Sequence, residues 1–369
     1  MKKPLKPRAK PSSPRLPRVT QGAILFAVGQ PLQVVELSLP SLRKGQVLVE
    51  IAYSGVCRSQ LLEVRGERGI DRFLPHALGH EGSGVVRAIG PGVSRVKPGD
   101  HVVLSWLKGP GVDAPGARYQ AGGAVINSGP LATFMRHTVA SENRLTRIAS
   151  ALDLRAAALL GCAIPTGAGA VLHTARLKAG ASVAVFGCGG VGLSAIAAAG
   201  LARLRHIVAV DPNPVQLWRA RRAGATAVVD PSVQAPVAAI RAITDGEGVD
   251  CAIEAAGQVR AMEAALGSIS DKGICVLAGN LRQGSQIAID PFDLIRGKRL
   301  VGTWGGETRP ERDLPRYARW LSDGAWPVNA VLGQVHRLEE INDALEDLAG
   351  GRGGRGLIVM DQQATPLAN

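Results

Sequence analysis

The chain has 369 residues, 46% of them hydrophobic, with 46 glycines and a formal net charge of +13. That length holds two domains with ample core, and no apolar run approaches the roughly 18–20 residues of a membrane span. Five scattered cysteines (Cys57, Cys162, Cys188, Cys251 and Cys275) argue against a disulfide framework and point to a reducing cytoplasm.

The charge is unevenly placed. Residues 1–20 carry seven Lys/Arg and no acid, leaving a modest +6 elsewhere. This Pro-rich tail has no apolar signal-peptide core, and its composition predicts a disordered, solvated extension. Nucleic acid and anionic lipid are disfavoured as partners. Residues 21–38 read as a β-hairpin around Gly29-Gln30-Pro31, and residues 46–53 as a further strand. His80-Glu81-Gly82-Ser83-Gly84 opens another, and Pro98-Gly99-Asp100 turns the chain into the strand HVVLSW. The first part is therefore a barrel-like, β-rich domain. Residues 108–130, Gly/Pro-rich and nearly aperiodic, predict a surface loop. Residues 152–175 predict a helix broken at Pro165.

From there β-branched runs alternate with helical segments: 182–186, 206–210, 226–230, 249–254 and 273–279. This predicts a doubly wound parallel sheet, so the fold class is α/β. After about residue 298 the pattern leaves that regime, with a short helix over 338–349 and a closing strand over 356–360. The expected boundaries are a tail at 1–20, a catalytic domain at 21–165, a nucleotide-binding domain at 166–297, and a return to the catalytic domain at 298–369.

Residues 182–211 carry the most specific local pattern. A β-branched strand runs into Gly187-Cys188-Gly189-Gly190-Val191-Gly192, an Ala/Leu-rich helix follows, and a second strand ends at Asp211. The spacing G-x-G-x-x-G in that setting is a dinucleotide fingerprint. Gly187 permits the turn, Gly189 lets a pyrophosphate approach the backbone, and Gly192 lets helix and strand pack closely. The helix start, at Gly190 and Val191, offers free N–H groups to phosphate. Asp211 is placed to accept hydrogen bonds from a ribose, and its charge would repel a 2′-phosphate. Pro212, Asn213 and Pro214 add no cation, so NAD is favoured over NADP; Arg219, Arg221 and Arg222 lie further on.

Cys57, His80 and Cys162 each lie beside glycine, in GVC, GHE and GC. Two thiols, an imidazole and one open position suit a catalytic zinc. Taken singly, each is equally a core residue. The chain resembles the zinc-dependent medium-chain alcohol dehydrogenase family. The resemblance rests on GVCRS (55–59), LGHEGSGVV (78–86), VKPGDHVV (96–103), LLGCAIPTGAGA (159–170), VFGCGGVG (185–192) and GVDCAIEAAG (248–257). GTWGG (302–306) and LEEINDAL (338–345) extend it, so the match spans about residues 22–360 in order.

The resemblance implies a GroES-like catalytic domain joined to a Rossmann domain. It implies a hydride exchanged between an alcohol, or its aldehyde or ketone, and NAD. It makes Cys57, His80 and Cys162 the ligands of one catalytic zinc, at which the substrate oxygen is polarised. Ser59 matches the hydroxyl that bonds that oxygen, with a turn-capping role as its alternative. Glu81 matches an acidic neighbour of the metal. Arg58 and Arg355 match residues on the pyrophosphate, and Thr166 a residue packed near the nicotinamide. Ala278-Gly279 would offer backbone groups to the carboxamide. Cysteine at 162 resembles the alcohol branch more than the polyol branch.

Departures accompany the match. Gln60 stands where the family usually has Asp, a partner of the ligands; its amide oxygen still accepts a hydrogen bond but carries no charge. Leu62 stands where many members have a proton-relay His, which leaves His76 or water for that task. Residues 105–130 contain no Cys, although many members hold a structural zinc there, so one zinc per subunit is expected. His101, His137, His173, His206 and His336 fit no ligand pattern. The zinc-free quinone or enoyl reductase branch lacks the Cys/His/Cys set; a non-catalytic nucleotide-binding member is the other alternative. Family members associate through the sheet edge, here about residues 285–304, which implies a homodimer or homotetramer.

Overall fold

A computed structural model describes residues 16–360 of the chain. Most of the predicted tail, residues 1–15, lies outside the described residues. The expected boundary at 20 is slightly late, because the first strand already begins at Val19.

The predicted hairpin is present. Val19–Leu25 pairs antiparallel with Gln33–Ser38, and His76–Ala77 pairs on the other side of Val19–Leu25. The expected surface loop at 108–130 needs correction. Arg118–Ala121 and Ala124–Asn127 form a second hairpin that closes these strands into a small barrel. Gly122 and Gly123 both take positive φ, +53° and +84°, the geometry a two-residue hairpin turn demands. Tyr119 and Ile126 face each other in register and are fully buried. The Tyr119 hydroxyl accepts the Val139 N–H at 2.8 Å, tying the hairpin to the neighbouring sheet. Two buried side chains of this size contribute about 1.5–3 kcal/mol each, which outweighs the low strand content of the segment.

The long strand Gln46–Gly55 centres a second, seven-stranded sheet. Glu81–Ile89 pairs along one side of it, and the closing strand Arg355–Val359 lies along the other. Thus the two ends of the chain build one domain. The helical stretch after residue 152 breaks at Cys162, with φ −152° and ψ −60°, rather than at Pro165. Pro165 is the third residue of the helix Ala163–Gly169. There its missing N–H would have had no intrahelical partner, so proline is tolerated.

The parallel sheet is as expected and one strand wider. Ser182–Phe186 lies between His206–Val210 and Val249–Glu254, and the outer strands include Ala227–Val229 and Ile269–Leu277. Arg299–Gly302 pairs parallel with Ile269–Leu277 and forms the far edge, so the boundary drawn at 297 cuts off the last strand. The helix Gly190–Leu201 packs behind the turn and is buried almost all round, as its Ala-rich sequence requires. The strand order reverses at Ser182–Phe186, and ligands bind outside the carboxyl ends of strands at such a point.

Candidate metal centre and cofactor cleft

Three irregular backbone positions bring the candidate ligands together. Cys57 is the extended residue that starts the short helix Arg58–Val64, His80 precedes the strand Glu81–Ile89, and Cys162 occupies the helix break. Their ligand atoms lie within 4.8 Å of one another, and His80 Nε2 is 3.3 Å from Cys162 Sγ. A tetrahedral zinc with Zn–S near 2.3 Å and Zn–N near 2.0 Å keeps such atoms roughly 3.5–3.8 Å apart. The donor set therefore fits zinc in both chemistry and spacing. Both thiols are buried. The hydrogen bond from Cys162 holds the Cys57 thiol well below its ordinary range, aided by the Arg355 charge. The same pairing pushes the Cys162 thiol up.

Gln60 sits directly behind this centre. Its Oε1 accepts the Cys57 N–H at 2.7 Å, and its Nε2 lies 2.5 Å from His80 Nδ1.

Glu81 is fully buried. Its Oε1 accepts from Arg355 Nε at 2.5 Å, and its Oε2 accepts the Ala163 N–H at 3.1 Å. A Cβ on Gly55 would lie 1.6 Å from Oε1, and one on Gly161 would lie 2.6 Å from the Glu81 Cβ. The carboxylate thus clamps the closing strand to the Cys162 break and does not line the cleft. Arg355, expected on the pyrophosphate, uses Nε for this clamp while its buried Nη2 has no partner among the described residues. Arg58 Nε is likewise buried, with no partner among the described residues.

One cleft of about 940 Å³ joins the two domains, a volume that suits a small-molecule site. Cys57, Ser59, His80, Cys162, Thr166, Val191 and Ala278 all line it. The hydroxyls of Ser59 and Thr166 have no partner among the described residues. Gly187, Gly189, Gly190, Gly192, Asp211 and Gly279 lie outside the lining; Val191 is where the glycine turn meets the cleft. Gly187 takes φ +89°, and a Cβ on Gly192 would lie 1.8 Å from the Gly187 carbonyl. A Cβ on Gly189 would meet nothing within 4 Å, which leaves open the approach that a phosphate needs. Asp211 accepts N–H bonds from Cys188 at 2.8 Å and Asn213 at 2.9 Å, and burial raises its carboxyl from the ordinary value.

The expectation for Ala278-Gly279 is narrowed. Both N–H groups donate to the Glu254 carbonyl, at 2.8 and 3.0 Å, so only their carbonyls remain for a ligand. Glu254 itself is a residue that sequence reasoning missed. It ends the strand beside Phe186, its Oε1 accepts the Gly257 N–H at 2.6 Å, and burial pushes its carboxyl up to about 7. Trp106 and Trp304 meet edge to face at 4.9 Å on the cleft wall. His76 also lines the cleft, with Nδ1 2.9 Å from Asp71 Oδ2, whereas Leu62 is buried at 2% exposure.

A two-thiol, one-imidazole site that shares a cleft with a dinucleotide turn defines a metal-dependent dehydrogenase of two domains. Comparison with known proteins agrees. Residues 43–150 match the alcohol dehydrogenase GroES-like domain, and residues 190–323 match the zinc-binding dehydrogenase domain. An S-(hydroxymethyl)glutathione dehydrogenase of Escherichia coli O6:H1 is 32% identical over 366 residues, covering 92% of this chain and 99% of that protein. The benzyl alcohol dehydrogenase of Acinetobacter calcoaceticus superposes with a TM-score of 0.85 at 29% identity, over 93% of this chain and all of that one. An alcohol dehydrogenase zinc-binding domain protein of Burkholderia ambifaria gives 0.86 at 28% identity, over 94% and 100%. The chain belongs to the zinc-dependent medium-chain alcohol dehydrogenase family.

Proposed function

We propose that this chain interconverts an alcohol and its aldehyde or ketone with NAD, using a single zinc held by Cys57, His80 and Cys162. The observation that carries the reading is the opening of all three ligands into the cleft that also contains Ser59, Thr166 and Val191. When bound, zinc supplies a Lewis acid and the nicotinamide a hydride acceptor. Ser59 holds the substrate hydroxyl and takes its proton toward water in the cleft. Arg58 and the free Nη2 of Arg355 meet the pyrophosphate, and Glu81 positions Arg355 and Cys162 without touching substrate. The E. coli and Acinetobacter relatives bear names of enzymes acting on a hydroxymethyl thioether and an aryl methanol. Primary alcohols are thus the first class to test, at 340 nm with NAD. NADH formation with at least one supports the reading; none with any alcohol, and no NADH loss with any carbonyl, would defeat it.

Asp211 carries the cofactor preference. Asp211→Ala removes both the ribose acceptor and the charge that repels a 2′-phosphate. The KM for NAD is expected to rise about tenfold, the equivalent of one charge-assisted hydrogen bond, and NADP to become usable. Unchanged KM values for both nucleotides would remove this role.

A cytoplasmic homo-oligomer is the proposed setting. Among the described residues Arg299–Gly302 leaves a free strand edge, and the neighbouring helix Pro291–Ile295 buries none of its own residues. Phe292 is 57% exposed and Ile295 73%, an apolar surface that a second copy would cover. Replacing both by Arg is expected to halve the mass seen by light scattering, or more. A wild-type chain that runs as a monomer would refute the assembly.

A further inference from the structure

Gln60 touches two groups whose hydrogen-bond roles can be counted. One is the Cys57 backbone N–H, which is always a donor and lies 2.7 Å from Oε1. The other is His80 Nδ1, 2.5 Å from the amide nitrogen. An amide head has one acceptor atom and one donor atom. With Oε1 on Cys57, the amide NH₂ must donate to His80 Nδ1, so the neutral ring carries its proton on Nε2. That Nε2–H faces Cys162 Sγ at 3.3 Å, and every group is satisfied.

Metal ligation reverses the demand. Nε2 must present its lone pair, so the proton moves to Nδ1 and becomes a donor aimed at Gln60. Now Cys57 N–H and His80 Nδ1–H are both donors, and with Oε1 held on Cys57 the atom that Gln60 turns to Nδ1 is its NH₂, a donor as well. Rotating the amide by 180° moves the conflict to Cys57 and does not remove it. A carboxylate at position 60 would accept both.

We infer that Gln60 opposes metal loading: it holds His80 in the tautomer that cannot ligate, so zinc binds this chain weakly and exchanges readily. The inference rests on the zinc reading above. It makes Gln60 a positioning residue that acts through His80, and it gives the site a built-in preference for its metal-free hydrogen-bond pattern.

The test uses the full chain. Zinc dissociation constants are measured by competition with a chromophoric chelator for wild type, Gln60→Glu and Gln60→Asp. Gln60→Glu keeps the side-chain length, and Gln60→Asp guards against misfolding of the first variant; circular dichroism checks both. At least a tenfold tightening is expected in each, within the 10–100-fold range typical of residues that orient metal ligands. Added negative charge alone would also tighten zinc, so a second readout decides the cause. ¹⁵N-histidine spectra of the metal-free wild type should show His80 protonated on Nε2, and zinc should move that proton to Nδ1. A metal-free His80 already protonated on Nδ1 overturns the inference, as do folded variants that bind zinc no tighter than wild type. Zinc on none of the three proteins would defeat the zinc reading itself, whereas zinc on wild type with equal constants defeats only the role of Gln60.

Discussion

Replacing Cys162 by alanine is expected to lower alcohol-dependent NAD reduction by more than about 100-fold, since loss of residues that merely orient ligands already costs 10–100-fold in affinity or activity. Cys162 is placed by its neighbours. Gly161 admits the backbone of Leu104, with a would-be Cβ only 2.4 Å from its carbonyl, and the Ser105 hydroxyl donates to the Gly161 carbonyl at 2.7 Å. The Ala163 N–H is fixed by Glu81 at 3.1 Å. The thiol is therefore presented by a frame that survives its removal, and the fold should persist in Cys162→Ala. NADH binding, followed by fluorescence, should change little, because the glycine turn lies on other elements. Cys57→Ala should behave in the same way. Zinc retained at full stoichiometry in both variants would contradict the ligand assignment.

Ser59→Ala is expected to lower kcat by about 100-fold or more, the lower end of what a positioned proton-transfer group contributes. Zinc content and NAD affinity should stay close to wild type. Ser59 is only 5% exposed, and its hydroxyl has no hydrogen-bond partner among the described residues. A capping serine would show a bond to a backbone N–H, and the helix Arg58–Val64 receives none from it. Thermal stability should accordingly hold or rise slightly, since no intramolecular bond is lost. Wild-type kcat in Ser59→Ala, with zinc bound, would assign the hydroxyl no part in the reaction.

The parts of the fold legible in the sequence are those with strong local periodicity. The β-branched runs at 182–186, 206–210 and 249–254 announced a parallel sheet because strands buried on both faces are apolar throughout. The hairpin at Arg118–Ala121 was hidden by the surrounding Gly and Pro, although the Gly122-Gly123 pair between Tyr119 and Ile126 was a readable turn signal. The last strand, Arg299–Gly302, is half-exposed at an edge and offers only two apolar residues, Leu300 and Val301, too few to set a period. Proline is the strongest local break signal, so the sequence points to Pro165; tertiary packing of Gly161 against Glu81 puts the break at Cys162 instead.

The site divides along the same line. The glycine turn is a contiguous motif and could be read by itself. The three candidate ligands are dispersed, with His80 and Cys162 82 residues apart, and only the resemblance groups them. The Glu81–Arg355 clamp spans 274 residues, so no local pattern could reveal it. The unusual burial of Glu254 and the double contact of Gln60 follow from packing, which composition does not encode.

The central claim is that one metal at Cys57, His80 and Cys162 and one NAD across the cleft together oxidise an alcohol. The most direct measurement is a zinc titration of the chelator-dialysed full chain, with NADH formation from a responsive alcohol followed at 340 nm. The account predicts that activity is absent after dialysis and rises with added zinc to a plateau at which one zinc is bound per chain. Full activity in the dialysed chain, or a plateau that requires two zincs per chain, would contradict it.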